Sequence, residues 1–193
     1  MRLISSLSFP MLTFLHWVGD DREAVVVIVK GTFGINKNDG LGVTHDQAPL
    51  IECDTFWGPP DASSLKLEQE IAPFKPCTDL TLSAVARTPD AGALPEWPVS
   101  IAVTDRVFYE FYVRGPSEWH KSRDKWQLSA PEPVIEVPIR YELAYGGMAP
   151  TEEVPEVYEF NPVGKGFVNE TLLDQGAPIP APQIGDIAEF MSG

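Results

Sequence analysis

"WPVSIAVTDRVFYEFYVRG", residues 97–115, carries its apolar side chains at every second position. Val99, Ile101 and Val103 alternate with Ser100 and Thr104; after a turn near Asp105 and Arg106, Val107, Tyr109, Phe111 and Val113 alternate back. A period of two places one set of side chains on a buried face of a strand. Two such runs around a short polar break predict a β-hairpin, although its turn lacks a glycine.

The same period runs outward along the chain. "VIEVPIRYELAY" (134–145) predicts one long half-buried strand, with Ile135, Val137, Ile139, Tyr141, Leu143 and Tyr145 on one face and Glu136, Arg140 and Glu142 on the other. Pro138 removes a ladder donor there and predicts an edge position or a bulge. "DLTLSAVAR" (79–87) predicts another strand with Leu80, Leu82, Ala84 and Ala86 inward. "AVVVIVKGTFGI" (24–35) is continuously apolar and β-branched, the pattern of a strand covered on both faces, and "NKNDG" after it is a turn. The best helical stretch is "DASSLKLEQEIA" (61–72), ended by Pro73. With 19 prolines and 15 glycines among short strands, the fold class is all-β: an antiparallel β-sandwich or open barrel with at most one short helix.

At 193 residues and 44% hydrophobic, the chain can bury a core as one domain with an appendage. Residues 1–149 form the expected core domain. Residues 150–193 form an acidic, proline-rich segment expected to pack on it in part: eight acidic residues stand against Lys165 alone, which leaves -7 of the formal net charge of -14. So acidic a surface repels nucleic acid and anionic lipid and favours basic protein partners or none. No apolar run approaches the roughly eighteen residues of a membrane span. Pro10 interrupts the apolar start, and no small-residue cleavage site follows, so the expected location is cytoplasmic. Cys53 and Cys77 lack the spacing of a disulfide framework or a metal knuckle and are expected to be reduced, partly buried thiols.

Catalytic chemistry finds little material. "NPVGKGF" (161–167) has the Gly-Lys pair of a phosphate loop, but Glu159 stands where the first glycine belongs, and Gly166 replaces the hydroxyl that would hold Mg²⁺. "HDQAPLIECD" (45–54) gathers His45, Asp46, Glu52, Cys53 and Asp54, yet on a strand Glu52 and Asp54 would point opposite to Cys53. His16 reads as a packed residue, and His120 as a solvent neighbour in a basic loop. Neither cysteine sits among cations that would activate it, and no nucleophile elbow is present. The expectation is no catalytic residue, no cofactor and no metal. Five tryptophans supply the alternative, a sugar-binding platform on a β-sandwich; a hydrolase built on His45 with Asp46 or Glu52 is a further one.

Five stretches occur in order: "VVVIVKGTF" (25–33), "APFKPCTDLTLSAVA" (72–86), "YELAYGG" (141–147), "NPVGKGF" (161–167) and "PAPQIGD" (180–186). Together they resemble a bacterial family, first catalogued as a domain of unknown function, that is associated with type VI secretion. Its members act as adaptors or chaperones that load effector proteins onto the valine-glycine-repeat spike. The resemblance implies a short member or an N-terminal portion, non-catalytic, whose partners are a secreted effector and the spike protein. Recognition is expected at an exposed sheet edge or groove. The candidate contacts are Lys75, Pro76, Asp79, Pro138, Arg140 and Lys165. Lys30, Gly31, Phe33, Gly146, Gly147, Asn161, Pro162, Gly164 and Gly166 are expected to set backbone geometry, with Asp79 available to cap the turn at Asn161.

Overall fold

The computed structural model describes residues 8–19, 21–36, 40–103, 107–123, 125–151 and 153–186. Among these, strands dominate, nearly all of them pair antiparallel, and α-helix is confined to Glu170–Gln175. The protein is all-β, assembled from small sheets of two or three strands. It divides into two compact units, Met1–Trp57 with Leu65–Leu80, and Gly58–Ser64 with Thr81–Gly193. The boundary expected at 149/150 falls inside the second unit.

In the first unit, β1 (Met11–Trp17) and β2 (Glu23–Val29) form a seven-pair antiparallel ribbon in which Leu15 faces Val25 and Thr13 faces Val27. The apolar run 24–35 is therefore not one strand with two covered faces. It breaks after Val29 and resumes as β3 (Phe33–Asn36), which pairs with β4 (Gly40–Val43) around the expected turn; residues 37–39 lie outside the described set. The β-branched side chains stiffen the extended backbone, but a ribbon of two strands covers only one face. Ala24, Val26 and Ile28 are half-buried, whereas Val25, Val27 and Val29 are exposed. β5 (Thr55–Phe56) and β6 (Leu65–Leu67) pair across a bulge. They replace the helix predicted over 61–72: Ala62 N–H closes a turn on Pro59 O at 3.0 Å, and Leu65 and Leu67 then enter β6. Their two-residue spacing suits a strand and leaves a helix no continuous apolar face.

In the second unit β7 (Val85–Arg87) is the strand formed from the run expected over 79–87; Leu82, and Leu80 in the first unit, are exposed rather than inward. β8 (Glu96–Val103) and β9 (Val107–Arg114) form the hairpin that residues 97–115 predict, in register from Glu96↔Arg114 to Val103↔Val107. The expected turn residues Asp105 and Arg106 lie outside the described set. β10 (Glu118–Ser122) and β11 (Lys125–Leu128) make a second hairpin, and β12 (Glu136–Pro138) pairs with β7. The core gathers Ala86, Trp97, Phe111, Val113 and Val137, at the ends of β8 and β9 away from their turn. Nearer the turn, Tyr109, expected inward, is exposed.

The long strand expected over 134–145 is the largest correction. Glu136–Pro138 pair as a strand, on an edge as Pro138 requires; Ile139 N–H still reaches Ala84 O, the chain then coils into a 3-10 turn at Tyr141–Leu143, and Tyr145 enters a separate short strand. Of the six side chains expected on one face, Val137 is fully buried while Ile135, Tyr141 and Tyr145 are exposed. The unit closes with β13 (Tyr145–Gly146), β14 (Met148–Ala149), β15 (Glu156–Val157), β16 (Lys165–Gly166), α1 (Glu170–Gln175), β17 (Ile179–Pro180) and β18 (Ile184–Gly185). β14 pairs with β15, β17 extends the β10–β11 sheet, and β18 lies beside β9. The α1 helix has its signals in sequence: the Asn169 side chain accepts from Leu172 N, and Gly176 ends the helix at φ 67.

Candidate functional site

Three separated stretches, 141–147, 161–167 and 180–186, meet in one knot of the second unit. After the 3-10 turn, β13 runs parallel to β16, Tyr145 beside Lys165 and Gly146 beside Gly166. Asn161 is buried between them. Its Nδ2 donates to Tyr141 O at 2.8 Å and Tyr145 O at 3.0 Å, while its carbonyl accepts from Gly147 N at 2.9 Å and Gly164 N at 3.2 Å. An amide with two donors is what two orphan carbonyls need, and neither a carboxylate nor a hydroxyl supplies both. Gly146 has φ 147, and a Cβ there would lie 2.2 Å from Asn161 O. Gly164 is as confined, its virtual Cβ 2.4 Å from Asn161 Nδ2. Pro162 sits exposed on the turn.

Lys165 ties the third stretch in. Its Nζ donates to Gln183 Oε1 at 2.6 Å; Gln183 Nε2 donates to Arg114 O at 3.1 Å, and Gln183 N to Leu143 O at 2.7 Å. Burial pulls the Lys165 amine below the usual lysine range. Nearby in sequence, Glu142 fixes the 58–64 segment by accepting from Ser64 N and Ser64 Oγ, both at 2.8 Å. Burial works to raise that carboxyl, but the Ser64 hydrogen bonds, its own backbone N–H and the Arg140 charge outweigh burial and hold it below the ordinary range.

Two surface features border the knot. Tyr158 packs edge-on against Tyr145 at 5.0 Å between ring centroids, and tilted against Phe160 at 5.7 Å and Phe167 at 5.9 Å. Phe160 is 88% exposed. Beside this ladder opens a groove of about 240 Å³, lined by Gly146, Gly147, Gly164, Lys165 and Gly166 together with Met148, Phe167, Leu172 and Ile179. The ladder has no local signal in the sequence, because its aromatics come from three separate segments, at 145, 158–160 and 167, rather than from one periodic strand.

The remaining candidates lie apart from the knot. In the first unit Lys30 Nζ donates to Pro49 O at 2.9 Å and pairs with Glu70 at 2.8 Å, and Glu70 also accepts from Ile51 N at 2.9 Å. Burial tends to raise the Glu70 carboxyl, but the Lys30 and Ile51 hydrogen bonds hold it down. A Cβ on Gly31 would meet the Phe33 ring at 2.8 Å. Lys75 and Asp79 form an exposed i,i+4 ion pair next to exposed Pro76 in the first unit. Pro138 lies on the β12 edge, and Arg140 stands in extended backbone just before the 3-10 turn. His45 Nδ1 lies 3.1 Å from Asp46 Oδ1, both fully exposed, whereas Asp54 accepts from Gln69 N at 2.8 Å. Among the described residues no three metal-ligating side chains gather. Cys53 and Cys77 are free and exposed rather than partly buried, since each lies in a stretch without a core above it. No helix among the described residues is long and apolar enough to cross a membrane.

The chain is all-β, and its glycine-and-asparagine knot brings 141–147, 161–167 and 180–186 together. Residues 20–193 match the family described as "Uncharacterized protein conserved in bacteria (DUF2169)", and the chain belongs to that family. No curated protein and no solved structure matches it significantly.

Proposed function

We infer that the protein is a non-catalytic adaptor: in the cytoplasm it binds a secreted effector and helps to bring it to the spike protein of a type VI secretion system. One observation carries this reading. Every fully buried apolar side chain among the described residues belongs to the second unit, while the first unit displays Leu15, Trp17, Val25, Val27 and Val29 along one face of the β1–β2 ribbon. Contiguous exposed apolar side chains mark protein interaction surfaces. Among the described residues no third strand joins the ribbon, which makes its edges available for main-chain pairing with a partner. The five ordered sequence stretches supply the kind of partner, and the charge of -14 argues against nucleic acid. Affinity purification of the tagged full chain from its native bacterium tests this: the expected companions are an effector and a spike protein. An empty purification together with specific binding on a glycan array overturns it in favour of a carbohydrate-binding module.

A further inference from the structure

We propose that the groove beside the glycine knot and the aromatic ladder next to it form one docking surface for a linear protein segment that carries an apolar anchor residue flanked by lysine or arginine. The proposal rests on the protein-binding reading above and names the chemistry of the bound segment.

Size sets the anchor. A groove of about 240 Å³ lies below the roughly 300 Å³ at which cofactor pockets begin, yet it holds one large side chain against Phe167, Leu172 and Ile179. Gly146, Gly147, Gly164 and Gly166 contribute main-chain atoms to the groove wall, while the space a Cβ would take at each is filled by the chain's own atoms. Phe167 belongs to both features, and the groove therefore continues into the Tyr145–Tyr158–Phe160 ladder.

Charge sets the flanks. Glu156 and Glu159 stand exposed on either side of Tyr158 in sequence, and Glu170 and Asp174 stand exposed on the helix that carries Leu172. The one cation of 150–193, Lys165, is half-buried and donates to Gln183. A guanidinium or ammonium gains both from these carboxylates and from the face of an exposed ring, whereas an acidic segment is repelled. A second copy of the chain would bring another -14 to the same surface, which opposes self-association here.

The test is selection of a random displayed peptide library on the immobilised full chain, with Phe160→Ser and Leu172→Glu variants alongside. Phe160 is so exposed that its substitution leaves the fold intact, which circular dichroism verifies. The expected result is enrichment of peptides with one large apolar residue beside Lys or Arg. Their binding should weaken at least tenfold in each variant and should fall with added salt. Enrichment of acidic peptides, equal enrichment on the variants, no enrichment, binding of glycans at Phe160, or concentration-dependent dimerisation abolished by Phe160→Ser each overturns the proposal. Effector co-purification with the variants separates the two readings. Retained effector without peptide selection sinks this surface and leaves the adaptor standing; loss of every companion from the parent chain sinks the adaptor itself.

Discussion

Lys30 and Lys165 both sit next to a glycine in apolar surroundings, and both reach an acceptor far along the chain, but they serve units built on different principles. Lys30 meets a carboxylate, Glu70, in a unit whose described apolar side chains are at most half-buried. Lys165 meets a neutral amide, Gln183, in the unit that holds all the buried apolar side chains among the described residues, Val113 and Val137 included. The first unit thus depends on strand pairing and polar clamps, the second on filled volume and a tightly wound backbone. Apolar surface that the first unit leaves open is surface that a partner can use.

The comparison breaks most readily at Trp97. Truncation to alanine empties the centre of the second unit's core and should destabilise it by about 3–5 kcal/mol. At roughly 2–4 °C per kcal/mol for a chain of this size, calorimetry should record a fall on the order of 10 °C. The equivalent truncation of Trp17, exposed in the first unit, should stay within about 0.5 kcal/mol. Comparable losses at both positions would mean that Trp17 is covered and that the contrast between the units is mistaken.

Glycine substitutions sharpen the contrast at the next level. Gly146→Ala places a methyl against Asn161 O at a φ that only glycine adopts comfortably, for about 1–3 kcal/mol from conformation alone. Gly42→Ala, in β4 of the first unit, meets nothing within 4 Å and should be close to neutral. Urea titrations of the two variants measure the difference, and an intact midpoint for Gly146→Ala would show that the knot relaxes.

Legibility in the sequence followed the same division. Residues 97–115 predicted their hairpin because the alternation matches burial at the end away from the turn, where Trp97, Phe111 and Val113 meet a real core, and Pro138 on an edge followed from its missing donor. Residues 134–145 misled because alternation reports side-chain spacing and not pairing partners; beyond Pro138 the chain is held by Asn161 and Ser64, contacts that no local pattern encodes. Residues 24–35 misled in the other direction. Apolar side chains on both faces there mark a face left open, which in sequence is indistinguishable from a face covered by the chain itself. Of the candidate site, the glycines and Asn161 were readable as turn formers, but their meeting across 141–186 was not.

Acid should weaken both units through one carboxylate each. Glu70 and Glu142 have folded pKa values held below the ordinary 4.5, so in the window just under pH 4.5 the unfolded chain binds more protons than the folded one. The stability these groups contribute is full above that window and is lost as pH falls through their folded values. Glu142→Gln should flatten the acid limb of the second unit, and Glu70→Gln that of the first, followed by hydrogen exchange at Ser64 and Ile51 respectively. Because both groups are partly solvated, each effect should be on the order of 1 kcal/mol or less.

The smallest effect belongs to Lys165, and its sign separates a structural tie from a charge held for a partner. Burial lowers its pKa beneath 10.5, so over the window between the folded value and 10.5 the unfolded chain again binds more protons, and stability should rise with pH. Lys165→Met keeps the aliphatic stem, removes the desolvated charge and loses one hydrogen bond to Gln183. These terms oppose each other, so the net change at neutral pH should stay within about 1 kcal/mol. The alkaline rise in stability should disappear in the variant, which thermal melts between neutral and alkaline pH will detect. If Lys165→Met left the rise unchanged, another group would be responsible and the amine would be better solvated than its place between β16 and Gln183 implies. Retention of the selected peptides by this variant, alongside their loss in Leu172→Glu, would put recognition in the groove and leave Lys165 as the tie that holds "PAPQIGD" against the knot.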